Sequence, residues 1–257
     1  MTATKQARAN VLGVGISALN MSSAVAEAKA LLNSGGKGYI CVTGVHGVME
    51  AQSDPAFRAI QNRSFLTTPD GMPTVWVGRL QGHKDMARVY GPDFMLALCQ
   101  AGVAEGYRHF LYGGQAGVAE QLRQALTARI PGLQIAGTFT PPFRPLNEEE
   151  EAELYRQVKE SRADILWCGL STPKQERFMA QYLDRLPVKL MVGVGAAFDI
   201  NSGRTVDAPA WIKKSGLQWL HRLLQEPRRL WRRYLYNNPR FLSLLLLQFT
   251  GLRRYEI

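Results

Sequence analysis

At 257 residues, 46% hydrophobic and 20% charged, the chain has an ordinary globular composition, with length for one large or two small α/β units. Three cysteines, Cys41, Cys99 and Cys168, form no CxxC pair, which excludes a disulfide framework and a thiolate zinc site; with the polar stretch MTATKQARAN at the N-terminus, the expectation is a cytoplasmic protein. The net charge of +10 is concentrated from Trp211 onward, where ten Lys and Arg face two Glu, so a near-neutral body carries a tail that seeks nucleic acid, anionic lipid or substrate phosphates.

VLGVGIS (11–17) reads as a strand and its exit, MSSAVAEAKALLNS (21–34) as a helix, and YICVTGV (39–45) as the next strand, a βαβ opening. GVGISA (13–18) lacks the third glycine of a dinucleotide fingerprint, which argues against an NAD-linked oxidoreductase. His46 and Glu50 share a helical spacing, but two ligands do not make a metal site. DPAFRAIQNR (54–63) follows as a helix. TTPDGMPTVW (67–76) then sets Asp70 between a proline and a glycine. Pro-Asp-Gly is a standard turn tripeptide; it is also a stiff mount for a carboxylate that does chemistry, and both readings stand on local sequence. PDFMLALCQAGVAE (92–105) is a helix closing a first α/β unit, 1–106.

A second, Rossmann-like unit spans 107–210. RHFLYGG (108–114), LQIAGTF (133–139), ADILWCGL (163–170) and VKLMVGVGAAF (188–198) are its strands. VAEQLRQALTARI (118–130), PLNEEEEAELYRQVKESR (145–162), capped by Asn147 with acids in its first turn, and KQERFMAQYL (174–183) are its helices. This alternation predicts the α/β class, parallel sheets with covering helices. LYGGQAG (111–117), GLSTPKQE (169–176) and GVGAAFD (193–199) each put glycine at a strand end. Glycines can simply end strands, but there they also let backbone N–H groups approach phosphate or ribose, and Gly113, Gly114 and Gly195 are candidates for a nucleotide site.

Residues 211–257 form a basic helical appendage, with Pro227 opening a helix and Pro239 interrupting it. In LHRLLQEPRRLWRRYL (220–235), Arg229, Arg232 and Arg233 are expected on one side, with Leu230, Trp231, Tyr234 and Leu235 on the other. FLSLLLLQF (241–249) falls far short of the ~20 residues of a spanning helix, but it can lie on a bilayer. No DxD-like acidic pair follows a strand, so metal-independent chemistry, with Arg or Lys neutralising phosphate, is expected.

TPDGMPTVW (68–76), RVYGPDF (88–94), FLYGGQAGVAEQ (110–121), GLSTPKQERF (169–178), GVGAAFDINSGRTVDAPAW (193–211) and WLHRLLQEPRRLWRRYL (219–235), in this order, resemble the WecG/TagA/CpsF family of bacterial glycosyltransferases. The resemblance implies a UDP-sugar donor, usually an N-acetylhexosamine or related hexose, a polyprenyl-diphosphate-linked sugar as acceptor, inversion at the anomeric carbon, and neither metal nor cofactor. It also implies roles. Asp70 matches the proposed catalytic base; Arg88, Arg222, Arg229 and Arg232 match arginines near the phosphates; Gln175 and Asp199 match nucleotide-sugar positions. Where the family usually has Thr-x-Asn, this chain has Thr43-Gly44-Val45-His46, leaving Thr43 and His46 as the polar groups that replace the asparagine.

The resulting expectation is a cytoplasmic glycosyltransferase, peripheral on the inner face of the cell membrane, in polysaccharide or glycan assembly. The tail meets anionic lipid, and no nucleic acid is expected. The alternative is a non-enzymatic nucleic-acid-binding protein using the basic tail, which predicts salt-dependent binding to DNA or RNA. A chain cut after Trp211 is expected to fold yet lose nearly all transfer.

Overall fold

The computed structural model describes residues 6–257; the first half of the polar N-terminal stretch, residues 1–5, lies outside the described residues. In chain order the elements are β1 (Arg8–Val11), β2 (Val14–Ser17), α1 (Met21–Asn33), β3 (Gly38–Thr43), α2 (Val45–Ser53), α3 (Pro55–Arg63), β4 (Leu66–Pro69), α4 (Met72–Leu80), α5 (Gly91–Gly102) and β5 (Arg108–Gly113). They continue as α6 (Val118–Arg129), β6 (Gln134–Phe139), α7 (Glu148–Ser161), β7 (Ile165–Gly169), α8 (Lys174–Tyr182), β8 (Leu190–Gly193), α9 (Ala197–Asn201), α10 (Ala210–Ser215), α11 (Gln218–Gln225) and α12 (Pro227–Phe249). Two compact units result. The first joins the segment up to Asn20 with 43–89 and 207–257; the second joins 21–42 with 90–206.

In the second unit five strands run parallel in the order β3-β8-β7-β5-β6, as the alternation of elements predicts. The central strands β7 and β8 are continuous apolar runs because helices cover both faces of such a sheet, and Leu166, Trp167, Met191 and Val192 are fully buried. Asn147 caps α7 in a capping box: its side chain accepts from the Glu150 amide at 2.8 Å while the Glu150 carboxylate accepts from the Asn147 amide at 2.9 Å. The strand expected over 188–198 stops at Gly193, because Gly195 at φ +49° turns the chain into α9.

The first unit corrects the expected βαβ opening. Residues 11–17 are not one strand: Val11 pairs with Val14 in an antiparallel hairpin whose two-residue turn, Leu12-Gly13, has φ of +54° and +81°. That turn belongs to the class that favours Asn-Gly, and a leucine at its first position hides it from sequence. Burial of Leu12 at 0% exposure offsets its left-handed backbone. The hairpin's Ala9, Val11, Val14 and Ile16 share a core cluster with Val48, Met49, Phe57, Val77 and Phe241, and Leu244 and Leu245 pack against it.

That cluster explains two further corrections. Pro227 does open α12, but Pro239 lies inside it without interrupting it. A mid-helix proline costs roughly 3 kcal/mol, and burial of Phe241 with its two leucines offsets that cost. The apolar run 241–249 is therefore partly core, and a chain cut after Trp211 would lack the Phe241, Leu244 and Leu245 side chains that pack on the hairpin. The expected two-sided pattern of 229–235 also differs. Leu230 is buried and Arg233 and Tyr234 are half-buried, whereas Trp231 and Leu235 face solvent with Arg229 and Arg232, because 3.6 residues per turn align 230, 234, 237 and 241.

Candidate active site

Two constellations emerge, one in each unit. In the first, Asp70 follows β4 and directly precedes Gly71, the N-cap of α4. Its amide donates to the carbonyl of Thr43 in the same unit at 3.1 Å, so the turn is tied to the approach to α2. Arg88 braces the turn from its backbone: its Nε donates to the Asp70 carbonyl, its Nη2 to Gln218 Oε1, and its Nη1 to the Lys213 carbonyl at 3.4 Å. The same Nη2 stands 4.0 Å from Asp70 Oδ1, with the Arg88 side chain 14% and the Asp70 side chain 33% exposed. Gln218 in turn donates to Asp207 Oδ1 at 3.4 Å, and Asp207 pairs with Lys213 at 2.9 Å. The carboxylate is thus reachable while its mount is held by the start of the basic tail.

Around it, the Thr43 hydroxyl is buried with no hydrogen-bond partner among the described residues, and so is that of Thr68. His46 Nδ1 lies 3.7 Å from Glu50 and 3.4 Å from Asn237 Nδ2, so this side chain links α2 to α12. Arg222 lies 3.7 Å from Glu226, and Arg229 pairs with the same carboxylate at 2.9 Å. Arg232 is apart from them, its guanidinium 5.2 Å above the Trp231 ring and exposed. Tyr234 and Arg233, expected on opposite sides of the helix, are both half-buried on the Leu230 side. Burial pushes the Tyr234 hydroxyl up from its ordinary value, against the pull of Arg222 and Arg233 and with the help of Asp70, which puts all four in one electrostatic neighbourhood. Burial also lowers Arg233, with repulsion from Arg222 and Arg229. The only sequence signal for them was the i, i+3 and i+4 spacing from Leu230.

In the second unit the three glycine motifs meet at neighbouring strand ends. Gly113 pairs in register with Gly169, and Cys168 with Gly193. Gly113 has φ +122°, and a Cβ there would sit 2.9 Å from the Gly169 carbonyl carbon, so this backbone has room for no side chain. Gly114 and Gly195 also adopt positive φ, +77° and +49°. Gln175 is 3% exposed, and its amide lies against Gly193 and Gly195. Asp199 is 3.7 Å from Arg204, whose amide donates to the Asp199 carbonyl at 2.9 Å. The structure therefore brings Gly113, Gly114, Gln175 and Gly195 to the carboxyl ends of the central strands, with Asp199 in the short helix that follows.

Among the described residues, no group of three or more His, Cys, Asp and Glu is placed to hold a metal ion, and no helix is long and apolar enough to cross a membrane. Comparison with known proteins gives a single direction. A protein from Bacillus spizizenii, named N-acetylglucosaminyldiphosphoundecaprenol N-acetyl-beta-D-mannosaminyltransferase, is 29% identical over 197 residues, 77% of this chain and 74% of that protein. One of the same name from Bacillus subtilis is 28% identical over 188 residues, 70% of this chain and 71% of that protein. The family described as "Glycosyl transferase WecG/TagA/CpsF family" matches residues 9–255, so the chain belongs to this family and is a glycosyltransferase.

Proposed function

We propose that this enzyme moves a hexose or N-acetylhexosamine from a UDP-sugar to a sugar carried on polyprenyl diphosphate, by a single inverting displacement that needs no metal ion. The two similar Bacillus proteins, named for N-acetylmannosamine transfer to N-acetylglucosaminyl-diphosphoundecaprenol, support that acceptor class. The observation that carries the reading is the braced turn: Arg88 and Gln218 fix the backbone of Asp70 while its carboxylate stays accessible.

In this mechanism Asp70 takes the proton of the acceptor hydroxyl as its oxygen bonds to the anomeric carbon. The bond from that carbon to the UDP phosphate oxygen breaks on the opposite face, and UDP leaves. Charge grows on the diphosphate, and Arg222, Arg229 and Arg232, with Arg88, supply cations for it. The glycine strand ends, Gln175 and Asp199 hold the nucleotide-sugar; Thr43 and His46 contact the substrate sugar.

The reading places the enzyme in the cytoplasm, against the inner face of the cell membrane. Trp231, Leu235, Leu242, Leu246 and Phe249 are exposed and fall on one stripe of α12, flanked by arginines, a surface suited to anionic lipid. The test is UDP release from a panel of UDP-sugars with polyprenyl-diphosphate-sugar in anionic bilayers, without added metal. Acceptor-dependent turnover that disappears in Asp70→Ala supports the proposal; equal turnover in both proteins reduces Asp70 to a turn residue.

A further inference from the structure

The α8 entrance holds an arrangement that the catalytic scheme does not use. Glu176 is 1% exposed, and its Oε1 accepts from Thr172 Oγ1 at 2.8 Å and from Gln175 Nε2 at 3.0 Å. The two ends of a glutamine amide have nearly the same shape but opposite hydrogen-bonding character, so a neighbour must decide which way it faces. An oxygen that already accepts from a hydroxyl repels another oxygen and attracts an NH2. Glu176 therefore sets the Gln175 amide in one orientation, with Oε1 turned the other way.

Gln175 Oε1 is buried and has no hydrogen-bond partner among the described residues. It lies 3.4 Å from where a Cβ on Gly195 would stand, and Nε2 lies 3.0 Å from where one on Gly193 would stand, so the amide fills the space that the strand-end glycines leave clear. A buried acceptor without a donor carries an uncompensated desolvation cost, and a bound group with an N–H or O–H removes it.

We infer that Glu176 is a positioning residue that holds the Gln175 carbonyl oxygen against the turn at Gly195, and that this strand end thereby selects a hydrogen-bond donor on the nucleotide-sugar. This rests on the donor-site reading above. Two parts of such a ligand carry the chemistry: the imide N–H of uracil, and a hydroxyl or amide N–H of the sugar.

The experiment is calorimetric binding of UDP, CDP and UDP-N-acetylglucosamine to the full chain, as wild type, Glu176→Gln and Gln175→Met. Cytosine has a ring acceptor where uracil has the imide N–H. If the base is read, wild type prefers UDP over CDP, and Glu176→Gln, whose amide lets Gln175 turn over, narrows that preference about tenfold. If the sugar is read, UDP and CDP bind alike throughout, and the variant loses the advantage of UDP-N-acetylglucosamine over UDP. A merely structural glutamate would lower the melting temperature and leave these ratios unchanged, which overturns the inference. Should Glu176→Gln not fold, Gln175→Met decides: it keeps the bulk, removes the acceptor, and overturns the inference if wild-type ratios persist. Failure of the wild type to bind any of the three ligands overturns the donor-site reading itself, and is distinguishable because it shows before any substitution.

Discussion

In the second unit, Gly113 and Gly169 face each other across two strands with no space for a Cβ on either, whereas in the first unit Asp70 is held by a chain of polar side chains running through Arg88, Gln218, Asp207 and Lys213. One constellation is made by leaving atoms out, the other by charges that secure a turn. The difference teaches where each is vulnerable. Added bulk attacks the first through packing; a changed charge attacks the second through rate.

The largest effect is expected at Asp70. Asp70→Asn keeps the shape of the turn and every backbone bond to it, and removes the proposed base. General base catalysis is worth roughly 10²–10⁴-fold, about 3–5 kcal/mol of barrier. kcat for sugar transfer should fall by about that factor with the affinity for UDP unchanged, because the glycines proposed to hold the nucleotide belong to the other unit. A parallel loss of UDP affinity, measured by calorimetry, would break the division drawn here.

Phe241→Ala tests whether the first unit's side-chain brace depends on the helix that covers the hairpin. The ring is 2% exposed in the hairpin cluster, and removing a buried Phe costs about 3–5 kcal/mol. The urea midpoint should drop accordingly. An unchanged midpoint would mean that α12 adds nothing to this core and that the tail is an independent appendage, as the sequence reading has it.

A third effect isolates the second unit. His109 is fully buried, and its Nδ1 accepts from Trp167 Nε1 at 3.0 Å. Burial pushes its pKa down to about 4 from 6.5, slightly opposed by Asp164. Because the folded pKa lies below the unfolded one, the unfolded chain takes up the extra proton, and stability is lost as pH falls. The loss begins near 6.5 and saturates near about 4, at roughly 1.4 kcal/mol per pH unit and about 3 kcal/mol in all. His109→Gln keeps an acceptor for Trp167 and should flatten this part of the stability profile between pH 7 and 4, followed by urea denaturation.

How much was legible differs between the units in the same way. The parallel sheet of the second unit follows from the alternation of apolar runs with amphipathic stretches, and the Asn147 capping box from four acids behind an asparagine. Such signals are local. The hairpin at Leu12-Gly13 was not legible because its turn carries a leucine where the local code expects Asn, and only burial in a cluster with residues as distant in sequence as Phe241 makes that tolerable. Nor could Gln218 be seen as the partner of Arg88, since 130 residues separate them and no periodicity connects them. Asp70 was visible because Pro and Gly flank it; the half-buried side that Arg233 and Tyr234 share was not, because their depth depends on how α12 lies on its own unit.

The smallest expected effect bears most directly on the strand ends. A Cβ on Gly169 would fall 2.7 Å from the ring of Phe198, which is 1% exposed and cannot swing into solvent. Gly169→Ala therefore overpacks this strand end by one methyl, at a cost of about 1–3 kcal/mol. The same ring lies 3.5 Å from where a Cβ on Gly114 would stand, so displacing it presses on the turn after β5 and should weaken UDP binding as well. Adding Phe198→Leu frees space on that face. If the double variant regains both stability and affinity, the glycine is there to seat the phenylalanine, and the ligand site depends on it through packing. If stability returns while UDP affinity stays low, the open backbone of Gly169 is itself part of the surface the nucleotide touches, and the strand ends act on the ligand directly.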